Sequence, residues 1–154
     1  MQADYMVLAD AVTSAEGKLF IHGAGWDTVL THEWPANMTA GVGILLRMPW
    51  GETNEPHTFE LDIIDADGRS VLPGPQGPLR GQVNVGRPPN LAPGEDQILP
   101  VAIGLNGTKI AQAGQYAVVF RIDGEERGRA PFKVQQAQMV QIIGGQQQGQ
   151  PPAA

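Results

Sequence analysis

Strict alternation of apolar and polar side chains is the feature that most constrains the fold of this chain. Residues 58–63 read TFELDI, which places their three apolar side chains on one face of a half-buried β-strand. The alternation ends at residues 65–68 (DADG), whose Asp-Gly pair tolerates the positive φ of a tight turn. The pattern therefore predicts a β-hairpin, with residues 69–72 as the returning strand.

A second segment repeats this pattern near the C-terminal end. Residues 116–122 (YAVVFRI) alternate, Asp123-Gly124 turns the chain, and residues 125–134 return as the partner strand. Tyr116 follows Gly114 and Gln115, as in a tyrosine corner, where the hydroxyl joins a strand to its preceding loop. Further strands fit residues 3–9, 18–22, 26–31, 39–47, 81–85 and 97–105.

Loops rich in glycine and proline separate these short strands, as at residues 73–78 (PGPQGP) and 87–94 (RPPNLAPG). Residues 134–143 fit either a strand or a short helix. Residues 144–154 (GGQQQGQPPAA) carry no large apolar side chain, which predicts a disordered tail. The folded part is therefore expected to be one domain over residues 1–143.

Many short strands with few helical patterns predict an all-β fold, because each sheet must bury its apolar face against another layer. We expect an antiparallel β-sandwich, immunoglobulin-like in appearance, with a partly open β-barrel as the alternative. The chain has 154 residues and no cysteine. A chain of this length buries about 70% of its unfolded surface, so it can fold without disulfides.

Charge and hydropathy narrow the classes of partner. The net charge of −6 repels phosphate backbones and anionic headgroups, so nucleic acid and membranes are not expected partners. Residues 40–46 form the longest strongly apolar stretch and are too short to span a bilayer. The first ten residues (MQADYMVLAD) lack the basic start and apolar core of a signal peptide. A cytoplasmic protein is the expectation.

Catalytic signatures are missing from the sequence. The chain contains no G-x-S-x-G elbow, and its serines, Ser14 and Ser70, lie in or beside turns. The glycines at residues 23–25 (GAG) fall between two predicted strands, where they fit a tight turn better than a phosphate loop. We therefore expect no cofactor and no enzymatic activity.

Three side chains form the strongest candidate metal site. His22 and His32 flank the predicted turn at residues 23–26, and Asp27, or alternatively Glu33, adds a carboxylate. Such a cluster could bind zinc or belong to a small-molecule site, but no HxH or HExxH spacing supports it. Scattered surface histidines are the competing interpretation.

Tryptophan is enriched at binding hot spots, and two of the three tryptophans lie in loop-like segments. Trp34 and Trp50 flank one predicted strand, whereas Trp26 heads a strand and is expected in the core. A partner-binding surface is predicted at Trp34 and Trp50, together with Met139 and Ile142 in the apolar segment near the C-terminus. The alternative is that both tryptophans cap the ends of the sandwich.

Three segments together resemble an uncharacterised family of bacterial proteins with a short β-rich domain. They are residues 3–10 (ADYMVLAD), residues 17–27, which contain a G-G-G-W-D-like stretch with Ala24 in place of one glycine, and residues 114–132. The resemblance implies a β-rich domain and assigns no activity, cofactor or catalytic residue.

The leading functional hypothesis is a non-enzymatic binding or assembly module that contacts protein, including a second copy of itself, through loops or an exposed sheet edge. A small-molecule- or metal-binding domain with an enzymatic role is the alternative. A phage or particle-associated structural protein is a third hypothesis, which depends on fold analogy alone.

Overall fold

A computed structural model of the chain describes residues 1–72 and 77–138. Within these ranges the chain forms eleven strands and one 3₁₀ turn (Trp50–Glu52), with no α-helix. The strands are β1 (Gln2–Ala15), β2 (Lys18–Ala24), β3 (Thr28–Thr31), β4 (Ala36–Asn37), β5 (Gly41–Met48), β6 (Pro56–Asp65), β7 (Leu79–Asn84), β8 (Gln97–Gly104), β9 (Lys109–Ile110), β10 (Gly114–Ile122) and β11 (Glu125–Gln136). The predicted all-β class is confirmed.

The strands form two main sheets and one small sheet. The first sheet has the order β2-β1-β5-β8, the second has the order β3-β11-β10-β6-β7, and β4 pairs with β9. Every pairing is antiparallel except that of β3 with β11, which is parallel. The second sheet is therefore mixed. After β2 the chain crosses from the first sheet to the second, where β3 runs parallel to β11.

The core lies between the inner faces of the two main sheets. Every second residue of a strand points to the same face of its sheet. The alternation therefore gives each main sheet one apolar face, and these two faces pack against each other. The buried side chains that share this core on β5, β6, β10 and β11 are Val42, Ile44, Leu46, Met48, Leu61, Ile63, Tyr116, Val118, Phe120, Ile122, Ala130, Phe132 and Val134.

Both predicted Asp-Gly turns form. Asp123 and Gly124 have φ values of 52° and 81°, as a two-residue hairpin turn requires, and β10 and β11 pair on either side. At the other turn, Oδ1 of Asp65 accepts hydrogen bonds from the backbone N–H groups of Asp67 and Arg69, both at 2.9 Å.

The partner strand of β6 differs from the prediction. Residues 69–72 return beside β6, but they make only the bridge between Ser70 and Ile64. The strand that pairs with β6 on the side away from β10 is β7. Pro73 follows this segment and has no N–H to continue a ladder. After residue 72, the next pairing with β6 among the described residues is that of β7.

The predicted tyrosine corner is confirmed. The hydroxyl of Tyr116 donates to the backbone carbonyl of Gln112 over 2.7 Å, and its ring stacks on Phe132 at a centroid distance of 5.7 Å. Burial raises the pKa of the Tyr116 hydroxyl, so the group stays a donor at neutral pH. This contact fixes the loop before β10 to the start of the strand.

The two main sheets meet closely along one side of the sandwich, which we call the closed side. There β1 contacts β11, and a β-carbon at Gly128 would lie 2.9 Å from Sδ of Met6. A larger residue at position 128 would therefore require Met6 to shift. The first sheet is also strongly curled, since β1 contacts β8 although β5 lies between them.

The apolar segment near the C-terminus is only partly described. Residues 134–136 belong to β11, so the part of this segment that the structure describes begins as strand. Met139, Ile142 and the predicted tail at residues 144–154 lie outside the described residues.

Candidate functional site

The side of the sandwich opposite to the closed side is open between β7 and β8. Here the sheets enclose a cavity of about 380 Å³, which we call the β7–β8 cleft. Its lining consists of aliphatic and aromatic side chains from five strands and the start of the loop after β7: Leu46, Phe59, Leu79, Val83, Val85, Leu99, Val101, Ala102, Ile103, Phe120 and Ile122.

Local sequence patterns explain this lining. In β8 the residues at 99, 101 and 103 pair with the core-facing residues at 46, 44 and 42 of β5, so they point between the sheets. From the other sheet, Phe59 lies over β7 at Gly81, where a β-carbon would be 2.5 Å from the ring. The Phe59 ring lies 6.4 Å from that of Phe120 and forms one wall of the cleft.

The two rims of the cleft are sheet edges. β7 is the last strand of the second sheet and β8 is the last strand of the first, so each has one side without a strand partner among the residues that the structure describes. The edge of β8 includes Pro100, which cannot donate a hydrogen bond. β7 contains no proline. Leu79 and Ile98 on these edges are 48% and 43% exposed, respectively.

A cluster of charged side chains lies on the outer surface beside β7. Glu60 on β6 accepts hydrogen bonds from Nε of Arg80 at 2.7 Å and from Nη1 of Arg121 at 2.8 Å. These bonds, that from Arg80 first, hold the pKa of the Glu60 carboxyl below its ordinary value. Arg80 is 67% exposed, so its charge remains accessible next to the β7 edge.

A buried histidine lies at one end of the cleft. His57 pairs with Val83 across β6 and β7. Its Nδ1 lies 2.7 Å from Oδ2 of Asp123, and its Nε2 lies 2.9 Å from the backbone carbonyl of Glu52. Because both neighbours are acceptors, the doubly protonated ring satisfies both contacts. The Asp123 carboxylate and then the Glu52 carbonyl raise the pKa of His57.

The three predicted metal ligands lie at separate places in the fold. His22 is on β2 in the first sheet, whereas His32 follows β3 in the second, and both are exposed. Asp27 lies just before β3 and accepts from the hydroxyl of Thr28. Across residues 1–72 and 77–138, no group of three His, Cys, Asp or Glu side chains is placed to hold a metal ion.

The two predicted partner-binding tryptophans lie near opposite ends of β11. Trp34 donates from Nε1 to Gln136 at the end of this strand, whereas Trp50 shares the 3₁₀ turn with Glu52, whose carbonyl lies against the His57 ring that contacts Asp123 just before the strand begins. The guanidinium of Arg87 lies 4.1 Å from the centroid of the Trp50 ring and donates to the Trp50 carbonyl. Each ring therefore has an intramolecular partner, and one compact patch does not include both. Trp26 packs against the core, as predicted.

Sequence reasoning identified the cleft strands but not the cleft. The predicted segments at residues 81–85 and 97–105 correspond to β7 and β8. Alternation shows which side chains point inward, but it does not show which strands end a sheet, and only two such edges facing each other create an open side.

The fold and the cleft define a class: an all-β sandwich whose sheets meet closely on one side, where β1 contacts β11, and which carries an apolar cleft between two edge strands on the other. The chain belongs to a family of unknown function, DUF6941, whose model matches residues 4–135. The resemblance to an uncharacterised family is thereby confirmed. Among curated proteins, none matches the chain. No helix within the described residues is long and apolar enough to cross a bilayer.

Proposed function

We propose that this protein is a non-enzymatic binding module that binds an extended segment of a partner protein at the β7–β8 cleft, with every second side chain of that segment apolar. The observation that carries the proposal is the cavity of about 380 Å³ between two edge strands. A partner strand would pair with an edge through its backbone and place every second side chain in the cavity. This combination is how strand addition achieves both affinity and specificity.

The chemistry of the cleft favours a polypeptide over a small molecule. Small-molecule pockets usually combine apolar walls with a few polar side chains that orient the ligand. All the side chains that line this cleft are aliphatic or aromatic. The polar groups at its rims are the backbone N–H and C=O groups of β7 and β8, and these groups match an extended peptide backbone.

Of the two edges, β7 is the better template. Pro100 removes one donor from β8, whereas every residue of Leu79–Asn84 carries an N–H. A strand added at β7 points its inward side chains at Val83 and Val101 and its outward side chains past Arg80. The expected partner motif therefore alternates apolar residues with polar residues, one of them acidic opposite Arg80.

The histidine beside the cleft supports a binding role without catalysis. A general base needs a ring nitrogen that is free to accept a proton. His57 has acceptors at both ring nitrogens, and this arrangement suits a structural tie between β6, the 3₁₀ turn and the β10–β11 turn.

Selection from a displayed library of random peptides tests the proposal. We expect the selected peptides to alternate apolar and polar residues. One of them would then be synthesised in two N-methylated forms, on odd or on even positions. In a strand, alternate N–H groups face the receptor edge, so one form should lose at least about tenfold in affinity while the other binds like the parent.

Two variants locate the site. Val101→Asp places a charge in the cleft and should abolish binding, whereas Phe20→Asp makes the same type of change on the β2 edge, where Phe20 is 45% exposed, and should leave binding unchanged. Thermal unfolding checks that both variants fold. Peptides without alternation, equal binding of both N-methylated forms, or binding by folded Val101→Asp would each overturn the proposal.

A further inference from the structure

The outer edge of β7 presents the backbone groups of three residues. The carbonyl of Val85, directly after the strand, accepts from the backbone N–H of Asn54, just before β6, over 2.8 Å. Backbone groups alternate in direction along an antiparallel strand, and the pairing of β6 with β7 is continuous in register. The odd-numbered residues of β7 therefore bond to β6, and the N–H and C=O groups of Arg80, Gln82 and Asn84 point away from it.

The side chains of β7 themselves have the alternation that the cleft favours in a bound segment. Leu79 and Val83 line the cleft, whereas Gln82 and Asn84 are exposed polar residues. Natural proteins usually protect an edge strand with proline, a bulge or a charge that points inward. The residues of β7 include no proline, its pairing with β6 has no bulge, and its inward positions are leucine, glycine and valine. This edge is therefore suited to pairing with a strand of its own kind.

We infer that the segment bound at this site is β7 of a second copy of the chain, and that the two strands pair antiparallel about a twofold axis at Gln82. This inference rests on the proposed function, because it takes the β7–β8 cleft as the binding site and names its occupant. In this register Gln82 lies opposite its own counterpart, and Arg80 lies opposite Asn84 of the second copy. On the inner face, Val83 of each copy lies opposite Gly81 of the other, where no side chain competes with it for space.

Charge and strand length favour the register centred on Gln82. This register pairs residues 79–85 along their whole length, and its three closely bonded pairs supply about six backbone hydrogen bonds. It also keeps the two Arg80 side chains four residues apart along the ladder, or about 13 Å, which exceeds the screening length of about 8 Å at physiological salt. An axis at position 80 or 81 would place these like charges opposite or diagonal to each other, at about 8 Å or less. An axis beyond residue 82 would leave the start of β7 unpaired.

Analytical ultracentrifugation of the full chain tests this inference. We expect an equilibrium between monomer and dimer with a Kd in the micromolar range, as for other small interfaces. Asn84→Asp places a carboxylate opposite Arg80 twice in each dimer and should tighten the dimer about fivefold, whereas Asn84→Lys should weaken it about fivefold. The same two changes at Asn37, which is exposed on β4, are the matched control. They alter the net charge equally and should leave the Kd unchanged.

Disulfide cross-linking measures the register, because the chain has no cysteine of its own. In a closely bonded antiparallel pair the Cα atoms lie about 5.5 Å apart, within the range that a disulfide spans. Gln82→Cys should therefore form a covalent dimer when it is oxidised with diamide. Asn84→Cys is the matched control, since residue 84 is also exposed on β7. Its two copies would lie about 13 Å apart, so this variant should run as a monomer on a non-reducing gel.

Several results would overturn the inference, once thermal unfolding has shown that each variant folds. They are a monomer at every concentration, a Kd that the Asn84 variants shift no more than the Asn37 variants do, or cross-linking of Asn84→Cys as fast as that of Gln82→Cys. The selected peptides separate this inference from the proposed function. If they bind a chain that stays monomeric, the cleft takes a foreign segment and only the inference fails. If the dimer forms through β7, the same peptides should dissociate it.

Discussion

The two long sides of this sandwich both carry apolar side chains but differ in how closely the sheets meet. On the closed side, β1 contacts β11, and Gly128 allows the sheets to approach until a β-carbon would be 2.9 Å from Met6. On the open side, β7 and β8 stay apart and leave a cavity of about 380 Å³. Apolar side chains alone therefore do not close a sandwich; the backbones must also be able to approach.

The largest expected difference comes from the same substitution on each side. Val134 on β11 is fully buried, and Val134→Ala should lower the free energy of unfolding by about 2–3 kcal/mol, since the loss of two methyl groups leaves a void. Val101 lines the open cleft, so Val101→Ala should cost about 1 kcal/mol or less. Urea denaturation measures both, and equal losses would show that the two sides are packed alike.

The glycine that permits the close approach gives the next effect. Gly128→Val forces Met6 and its strand away from β11 and should cost about 1–3 kcal/mol. Gly51→Val is the control, because nothing lies within 4 Å of a β-carbon there. If both variants unfold at the same denaturant concentration, position 128 tolerates a side chain, and the close approach of β1 to β11 does not depend on glycine.

A smaller effect is the pH dependence of stability that His57 contributes at one end of the open side. The folded state raises the pKa of His57 above its ordinary 6.5, so the stabilisation is complete below that value and is lost as pH rises through the raised pKa. The stability of the unsubstituted chain should therefore decline on the alkaline side of that value. Denaturation measured from about pH 5 to about pH 9 should show a flatter profile in His57→Gln.

The partner of His57 acts in the opposite direction. Hydrogen bonds from His57 and from the Thr58 backbone hold the pKa of Asp123 below its ordinary 3.8. Its stabilisation is present above that value and is lost as pH falls through the lowered pKa. Asp123→Asn should flatten the acid side of the profile, and an unchanged acid limb would contradict the pairing with His57.

The smallest expected effect is a gain. The cleft has room for one more methylene, so Val101→Leu should raise the free energy of unfolding by about 0.5 kcal/mol, as cavity-filling substitutions commonly do. Because the added group occupies the proposed binding site, the same variant should bind a selected peptide more weakly. A loss of stability of more than about 1 kcal/mol would mean that the cleft is already filled.

Short-range patterns in the sequence were sufficient for the fold class and for most strands. Alternation identified β6, β10 and β11. The Asp123-Gly124 pair identified the turn between β10 and β11, and Tyr116 identified the tyrosine corner. These features depend on a few neighbouring residues, because side-chain period and turn φ are local properties. Two pairings were not predictable in the same way. They are the parallel pairing of β3 with β11, and the pairing of β6 with β7 where residues 69–72 had been expected. Both depend on contacts between residues far apart in the chain.

The same distinction between local and long-range information applies to the candidate sites. The sequence by itself determined that residues 81–85 and 97–105 form strands, and that Trp26 belongs with the core. Only the tertiary structure decided that β7 and β8 are sheet edges facing each other and that Trp34 and Trp50 lie apart. The physical reason is that strand order and sheet packing follow from contacts between residues far apart in the chain, and no local pattern encodes which edges remain unpaired.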